Sequence, residues 1–184
     1  INKLKLLSKA DFENAINFEL GEKNILITFH PVTLEKSTSG IQFQALLDSI
    51  SELRNTKIIF TKANSDTDGR VINSMIDDYV AKHDNTIAFT SMGQLNYLSA
   101  LQFMDAVVGN SSSGLIEAPS FKIGTIDIGD RQKGRIKANS IIACSPNKES
   151  IDSALVKLYS REFQDIANNV DNPYGDGGAS KEIA

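Results

Sequence analysis

The segment Gly109-Asn110-Ser111-Ser112-Ser113-Gly114-Leu115-Ile116-Glu117 gathers residue types suited to holding a phosphate. Small residues let the backbone approach an anion, several serine hydroxyls can donate, and a helix that follows presents free N–H groups and partial positive charge. Serine-rich loops between a strand and a helix also serve simply as helix caps. The segment is not a Walker loop, because no Gly-Lys-Ser/Thr follows, nor a Gly-x-Ser-x-Gly nucleophile elbow, because neither Asn110 nor Ser113 is the required glycine. Glu117 stands one helical turn after Ser113 and on the same face, where a carboxylate can accept from two vicinal hydroxyls of a ribose. Taken alone it also reads as a solvated helix glutamate.

Other polar residues fall at the ends of apolar runs. His30 precedes Pro31, where a neutral imidazole could hydrogen-bond and an imidazolium could neutralise a phosphate leaving group. A lone histidine is more often a structural residue, and His83, in a polar stretch, reads only that way. With two histidines and no cysteine at ligand spacing, no zinc site and no metal requirement is expected. Asp130-Arg131-Gln132-Lys133-Gly134-Arg135 brings three cations to another strand end, where arginine suits bidentate phosphate contact. A solvated basic loop is the competing reading. Asn64-Ser65-Asp66-Thr67-Asp68-Gly69 has the aspartate spacing of a calcium loop without its distal glutamate, so it is read as a turn and helix cap with a contact from Asn64.

These loops need elements to position them. Ser8-Lys9-Ala10-Asp11 predicts a helix cap and a short leading helix. Apolar runs predict strands over 24–29, 57–60, 86–89, 106–109, 123–128 and 141–144. Helical spacing predicts helices around Ile41 to Leu53 and Val71 to Val80, one or two more over Leu95 to Phe103, and helices over 113–121 and 151–159. Strands that alternate with helices and are apolar throughout indicate a parallel sheet covered on both faces, an α/β Rossmann-like doubly wound domain. Ligands of such sheets sit beyond the carboxyl ends of the strands, where the polar clusters fall. Only 171–180, rich in Gly, Asn and Asp, reads as a hinge.

The 184 residues and 41% hydrophobic content suit one domain. A net charge of -4 with both signs dispersed disfavours a nucleic-acid partner, and no apolar run nears the roughly 20 residues of a membrane-crossing helix. The single cysteine, Cys144, and the lack of a secretory leader point to the cytoplasm. A start at Ile1 and a finish in what reads as the first turn of a helix suggest a piece of a longer chain.

Five motifs together resemble one family. His30-Pro31-Val32-Thr33, the Asn64 loop ending in Gly69, the serine segment with Glu117, Asp130 to Arg135, and Asn172-Pro173-Tyr174-Gly175-Asp176-Gly177 occur in the order seen in hydrolysing UDP-N-acetylglucosamine 2-epimerases. The resemblance runs from about residue 5 to the end. It implies one half of a GT-B enzyme (the UDP-glycosyltransferase and glycogen phosphorylase architecture), with residues 1–184 as the carboxy-terminal nucleotide-binding domain and 173–184 starting a helix that crosses back to an absent amino-terminal domain. UDP would lie over Ser111, Ser112, Ser113 and Gly114, Glu117 would hold the ribose, and His30 and Arg131 would address the diphosphate. Asn64 and the backbone near Met92 would line the uridine side.

The implied reaction is loss of the C2 proton and anti elimination of UDP to a glycal, then addition of water to release N-acetylmannosamine. It needs no cofactor. The proton-transferring carboxylates would belong to the absent half, so this half would bind but not turn over, and a homodimer is implied. His30-Pro31-Val32-Thr33 and Ser112-Ser113-Gly114 depart from the non-hydrolysing branch, which carries His-Arg-Arg-Glu-Asn and Ser-Gly-Gly type segments there. UDP-N,N'-diacetylbacillosamine remains an alternative sugar, both products feeding sialic-type acid synthesis. A GT-B glycosyltransferase donor domain and a non-catalytic UDP-sugar-binding module remain alternative functions.

Overall fold

The computed structural model describes residues 4–31, 38–64 and 67–175. Among them β1 (Lys23–Thr28), β2 (Thr56–Thr61), β3 (Thr86–Phe89), β4 (Ala106–Gly109), β5 (Gly124–Ile128) and β6 (Ile141–Cys144) form a six-stranded sheet in the order β3-β2-β1-β4-β5-β6. Every pairing is parallel, with Thr28 opposite both Thr61 and Gly109. Strand order reverses between β1 and β4. At such a switch point the loops diverge to opposite faces and leave a crevice, so the sheet itself locates the ligand position.

The apolar strands feed two cores because successive side chains point to opposite faces. Ile25, Ile27, Ile58, Phe60, Val108 and Ile126 pack with α2 (Ser39–Ile50), α3 (Thr67–Val80), α6 (Lys148–Leu158) and α7 (Arg161–Asn168). Leu26, Ile59 and Val107 pack on the other face with α1 (Lys9–Ile16) and α4 (Gly93–Leu101). No helix among the described residues is long and apolar enough to cross a membrane.

The expected doubly wound α/β sheet is therefore present, and β3, β4 and β6 have the expected bounds. The leading helix is capped as expected, Asp11 N–H donating to Ser8 Oγ at 3.2 Å. The single helix expected over 113–121 is instead a four-residue turn, α5 (Ser113–Ile116), followed by a 3-10 turn at Ala118–Phe121. Pro119 explains the break: it has no N–H to donate to the Leu115 carbonyl, and its ring would clash there. Helix α7 goes beyond the sequence expectation; Ser160 caps it by accepting from Phe163 N–H at 3.3 Å, and it buries Phe163 and Ala167. Residues 65 and 66 of the Asn64 loop, and 176–184 of the expected crossing helix, lie outside the described residues.

Candidate functional site

Strands β1 and β2, so apolar along their length, both close on threonine. Because the register sets Thr28 opposite Thr61, their hydroxyls share a hydrogen bond at the carboxyl edge of the sheet. They form the floor of a cleft of about 690 Å³ whose walls include His30, Lys62, Met92, Gln94, Tyr97, Ser111, Ser113 and Glu117. Five residues singled out from the sequence, His30, Met92, Ser111, Ser113 and Glu117, thus meet in one depression at the switch point. Asn64, Ser112, Gly114 and Arg131 do not line it.

Gly109 makes the turn out of the sheet. Its φ of +137° is favoured by glycine alone, and a Cβ there would lie 2.0 Å from the Thr28 carbonyl oxygen. Beyond it Asn110 is buried, 1% exposed, and its side-chain amide lies against the main chain of His30. Asn110 Oδ1 accepts from His30 N–H at 2.7 Å, and Asn110 Nδ2 donates to His30 C=O at 2.8 Å. The side chain thereby supplies the donor and acceptor that a further rung between β1 and β4 would have supplied. The loop after β2 is held by the same means: Ala63 N–H donates to Asn73 Oδ1 at 2.8 Å and Asn73 Nδ2 donates to Ala63 C=O at 3.1 Å.

The basic loop after β5 divides. Arg131 Nη1 and Gln132 Nε2 donate to the Asn110 carbonyl at 3.0 and 2.7 Å, which sets the guanidinium beside the serine segment. Lys133 pairs loosely with Asp130 at 3.7 Å, and both line a separate cavity of about 420 Å³ with Cys144. Of the three cations expected together, Arg131 is therefore the one the structure ties to the serine segment.

The serines differ as well. Ser112 precedes α5 without a side-chain cap bond. Ser113 Oγ shares a hydrogen bond with the Tyr97 hydroxyl, and Ser111 Oγ accepts from Ser113 N–H at 3.4 Å. Burial, together with the Glu117 charge and against the Ser113 bond, pushes the Tyr97 phenol up to about 12, so it stays protonated near neutrality. Gly114 is buried on the side of α5 that faces β5, where a Cβ would lie 2.6 Å from Thr125 Cγ2, and its carbonyl accepts from Thr125 Oγ1 at 2.7 Å. Its small size brings the helix onto β5.

Thr28, Thr61, Lys62 and Tyr97 are additions to the residues found from sequence. The matching terminal threonines of two apolar strands were the available signal for the first two. Lys62 is held by Asp77 at 2.6 Å, on a helix face that periodicity alone marks as solvated. Chemically the cleft offers hydroxyls, one carboxylate and a histidine, with a guanidinium close behind: hydrogen-bond recognition of a polyol and charge neutralisation of an anion.

Comparison with known proteins adds the following. A family model described as UDP-N-acetylglucosamine 2-epimerase matches residues 1–184. A Campylobacter jejuni protein, GDP/UDP-N,N'-diacetylbacillosamine 2-epimerase (hydrolyzing), is 39% identical over 165 residues, spanning 89% of this chain and 42% of its own length. The S. aureus MnaA–UDP co-structure superimposes with a TM-score of 0.75 at 18% identity, covering 98% of this chain and 47% of that one. The C-terminal domain of a group 1 glycosyl transferase from Francisella tularensis superimposes with a TM-score of 0.57 at 13% identity, covering 91% and 89%. The chain spans less than half the length of the curated relative, and its fold is that of one half of the GT-B architecture.

Proposed function

Since the chain belongs to the UDP-N-acetylglucosamine 2-epimerase family, we propose that it is the UDP-binding half of a hydrolysing nucleotide-sugar 2-epimerase. The observation that carries this reading is the meeting of His30, Ser111, Ser113 and Glu117 in one cleft at the switch point of the sheet, with Arg131 fixed beside it. Glu117 accepts from the ribose hydroxyls, the serine segment and Arg131 hold the diphosphate, and His30 stabilises it as it departs. Met92, and Asn64 from the neighbouring loop, lie on the uracil side.

In the reaction a base removes the C2 proton, the C2–H electron pair forms the C1=C2 bond, and the C1–O bond breaks with its electrons leaving on UDP. Water then adds across the glycal and releases the 2-epimerised free sugar. This half supplies the last requirement of the elimination, stabilisation of the anion, through preorganised donors. The acid and base come from the other half, and the isolated chain binds without turnover. No metal or organic cofactor takes part.

The 39% identity to the C. jejuni protein favours UDP-N,N'-diacetylbacillosamine as substrate over UDP-N-acetylglucosamine. The polypeptide carrying both halves is expected to release UDP and free 2-epimer from one of these sugars with no acceptor added, measured by coupled UDP detection and by NMR of the sugar. Transfer to an acceptor, with no acceptor-free release, would make it a glycosyltransferase. Binding without any turnover would make it a sensor of UDP-sugars.

A further inference from the structure

Asn110 ties together the segments that follow β1, β4 and β5. Its N–H donates to Thr28 C=O at 3.1 Å, its side chain holds both main-chain groups of His30, and its carbonyl receives Arg131 and Gln132. Every polar group of the residue is engaged. The contacts reach across 80 positions to His30 and 21 to Arg131. Beyond the Asn110 N–H rung the bonds between the two strands are made by the Asn110 side chain instead of the backbone.

We infer that Asn110 is a positioning residue: through its side chain it sets the His30 backbone, and hence the imidazole, against the nucleotide diphosphate. The inference rests on the UDP reading of the cleft. Both a donor and an acceptor on a two-atom stem are required, which asparagine has and no other side chain of its size has. Aspartate would keep the bond from His30 N–H but set an oxygen against His30 C=O. Alanine would release both while leaving the Asn110 carbonyl, and so the Arg131 bond, in place.

The test is calorimetric titration of UDP into the chain for wild type, Asn110→Ala, His30→Ala and the double variant, with hydrogen exchange at the His30 amide read by NMR. Asn110→Ala is expected to weaken UDP about tenfold, the scale of one or two lost hydrogen bonds, and to expose the His30 amide to exchange. In the His30→Ala background the same change is expected to cost less than about twofold, because a positioning residue has nothing left to position. If Asn110→Ala does not fold, Asn110→Asp serves in the same cycle. A carboxylate that merely repelled the diphosphate would weaken binding equally in both backgrounds, and that additivity would overturn the inference. So would wild-type affinity in Asn110→Ala alongside loss in His30→Ala. Failure of the wild-type chain to bind UDP would instead remove the nucleotide reading on which the inference stands.

Discussion

Gly109→Ala is expected to cost the chain about 4 kcal/mol of stability, combining about 2 kcal/mol of backbone strain with a similar overpacking cost. The cause is local and severe. A Cβ on Gly109 would meet the Thr28 carbonyl oxygen at 2.0 Å and its carbon at 2.7 Å, and both are main-chain atoms of the adjoining central strand. No side chain can swing aside to relieve them, so β1 and β4 must separate where the cleft floor begins. Thermal unfolding followed by circular dichroism should show the midpoint lowered by roughly 8–16 °C, given a shift of about 2–4 °C per kcal/mol in a domain of this size. An unchanged midpoint would mean that the turn after β4 differs from the one described.

The second large effect is expected at Lys137. Asp127 lies in β5 with 1% of its surface exposed, and its partner is Lys137, with Nζ 2.8 Å from Oδ2; apart from that ion pair neither carboxylate oxygen has a partner among the described residues. The charge of Asp127 is felt at Cys144, whose thiol is pushed up to about 11 first by burial and then by that carboxylate. Lys137→Met would leave the buried carboxylate uncompensated. Removing one partner of a fully buried pair costs about 3–5 kcal/mol; because the Lys137 side chain is 31% exposed, about 2–3 kcal/mol is expected here. Adding Asp127→Asn should recover most of that loss in urea unfolding, since a neutral amide is less costly to bury than a carboxylate. If Lys137→Met were neutral, the pair would not be what seats the 130–137 loop that carries Arg131.

These two residues show what sequence can and cannot disclose. The Gly-Asn-Ser run after an apolar strand is visible directly, because composition and position coincide. Strand cores are visible for the same reason: Ile25 to Ile27 and Ile58 to Phe60 are apolar on both faces, as a sheet covered on both sides demands. The Ser8 cap is local chemistry and is read locally. What stays hidden is long-range. The use of Asn110 as a rung for His30, the pairing of Tyr97 with Ser113, and the placing of Lys137 on Asp127 each depend on register and loop path, which residue spacing does not encode. The broken helix after Ser113 is an intermediate case. Pro119 is a breaker signal inside an apolar pattern that runs through Phe121, and the chain follows the proline. Helix α7 is short at eight residues, yet Phe163, Ile166 and Ala167 stand at helical spacing behind the Ser160 cap, so its signal is legible in the sequence. Roles for Asn64 and Arg131 likewise depend on a ligand, since neither lines the cleft by itself.

The most direct measurement of the central claim is calorimetric titration of UDP into the 184-residue chain, beside Glu117→Ala and Arg131→Ala variants verified as folded by circular dichroism. The account predicts saturable one-to-one binding by the wild type, weakened about tenfold or more in each variant, the loss expected when a charge-assisted contact to ribose or phosphate is removed. A folded wild-type chain giving no saturable heat at millimolar UDP, or variants that bind as the wild type does, would contradict the assignment of the nucleotide to this cleft.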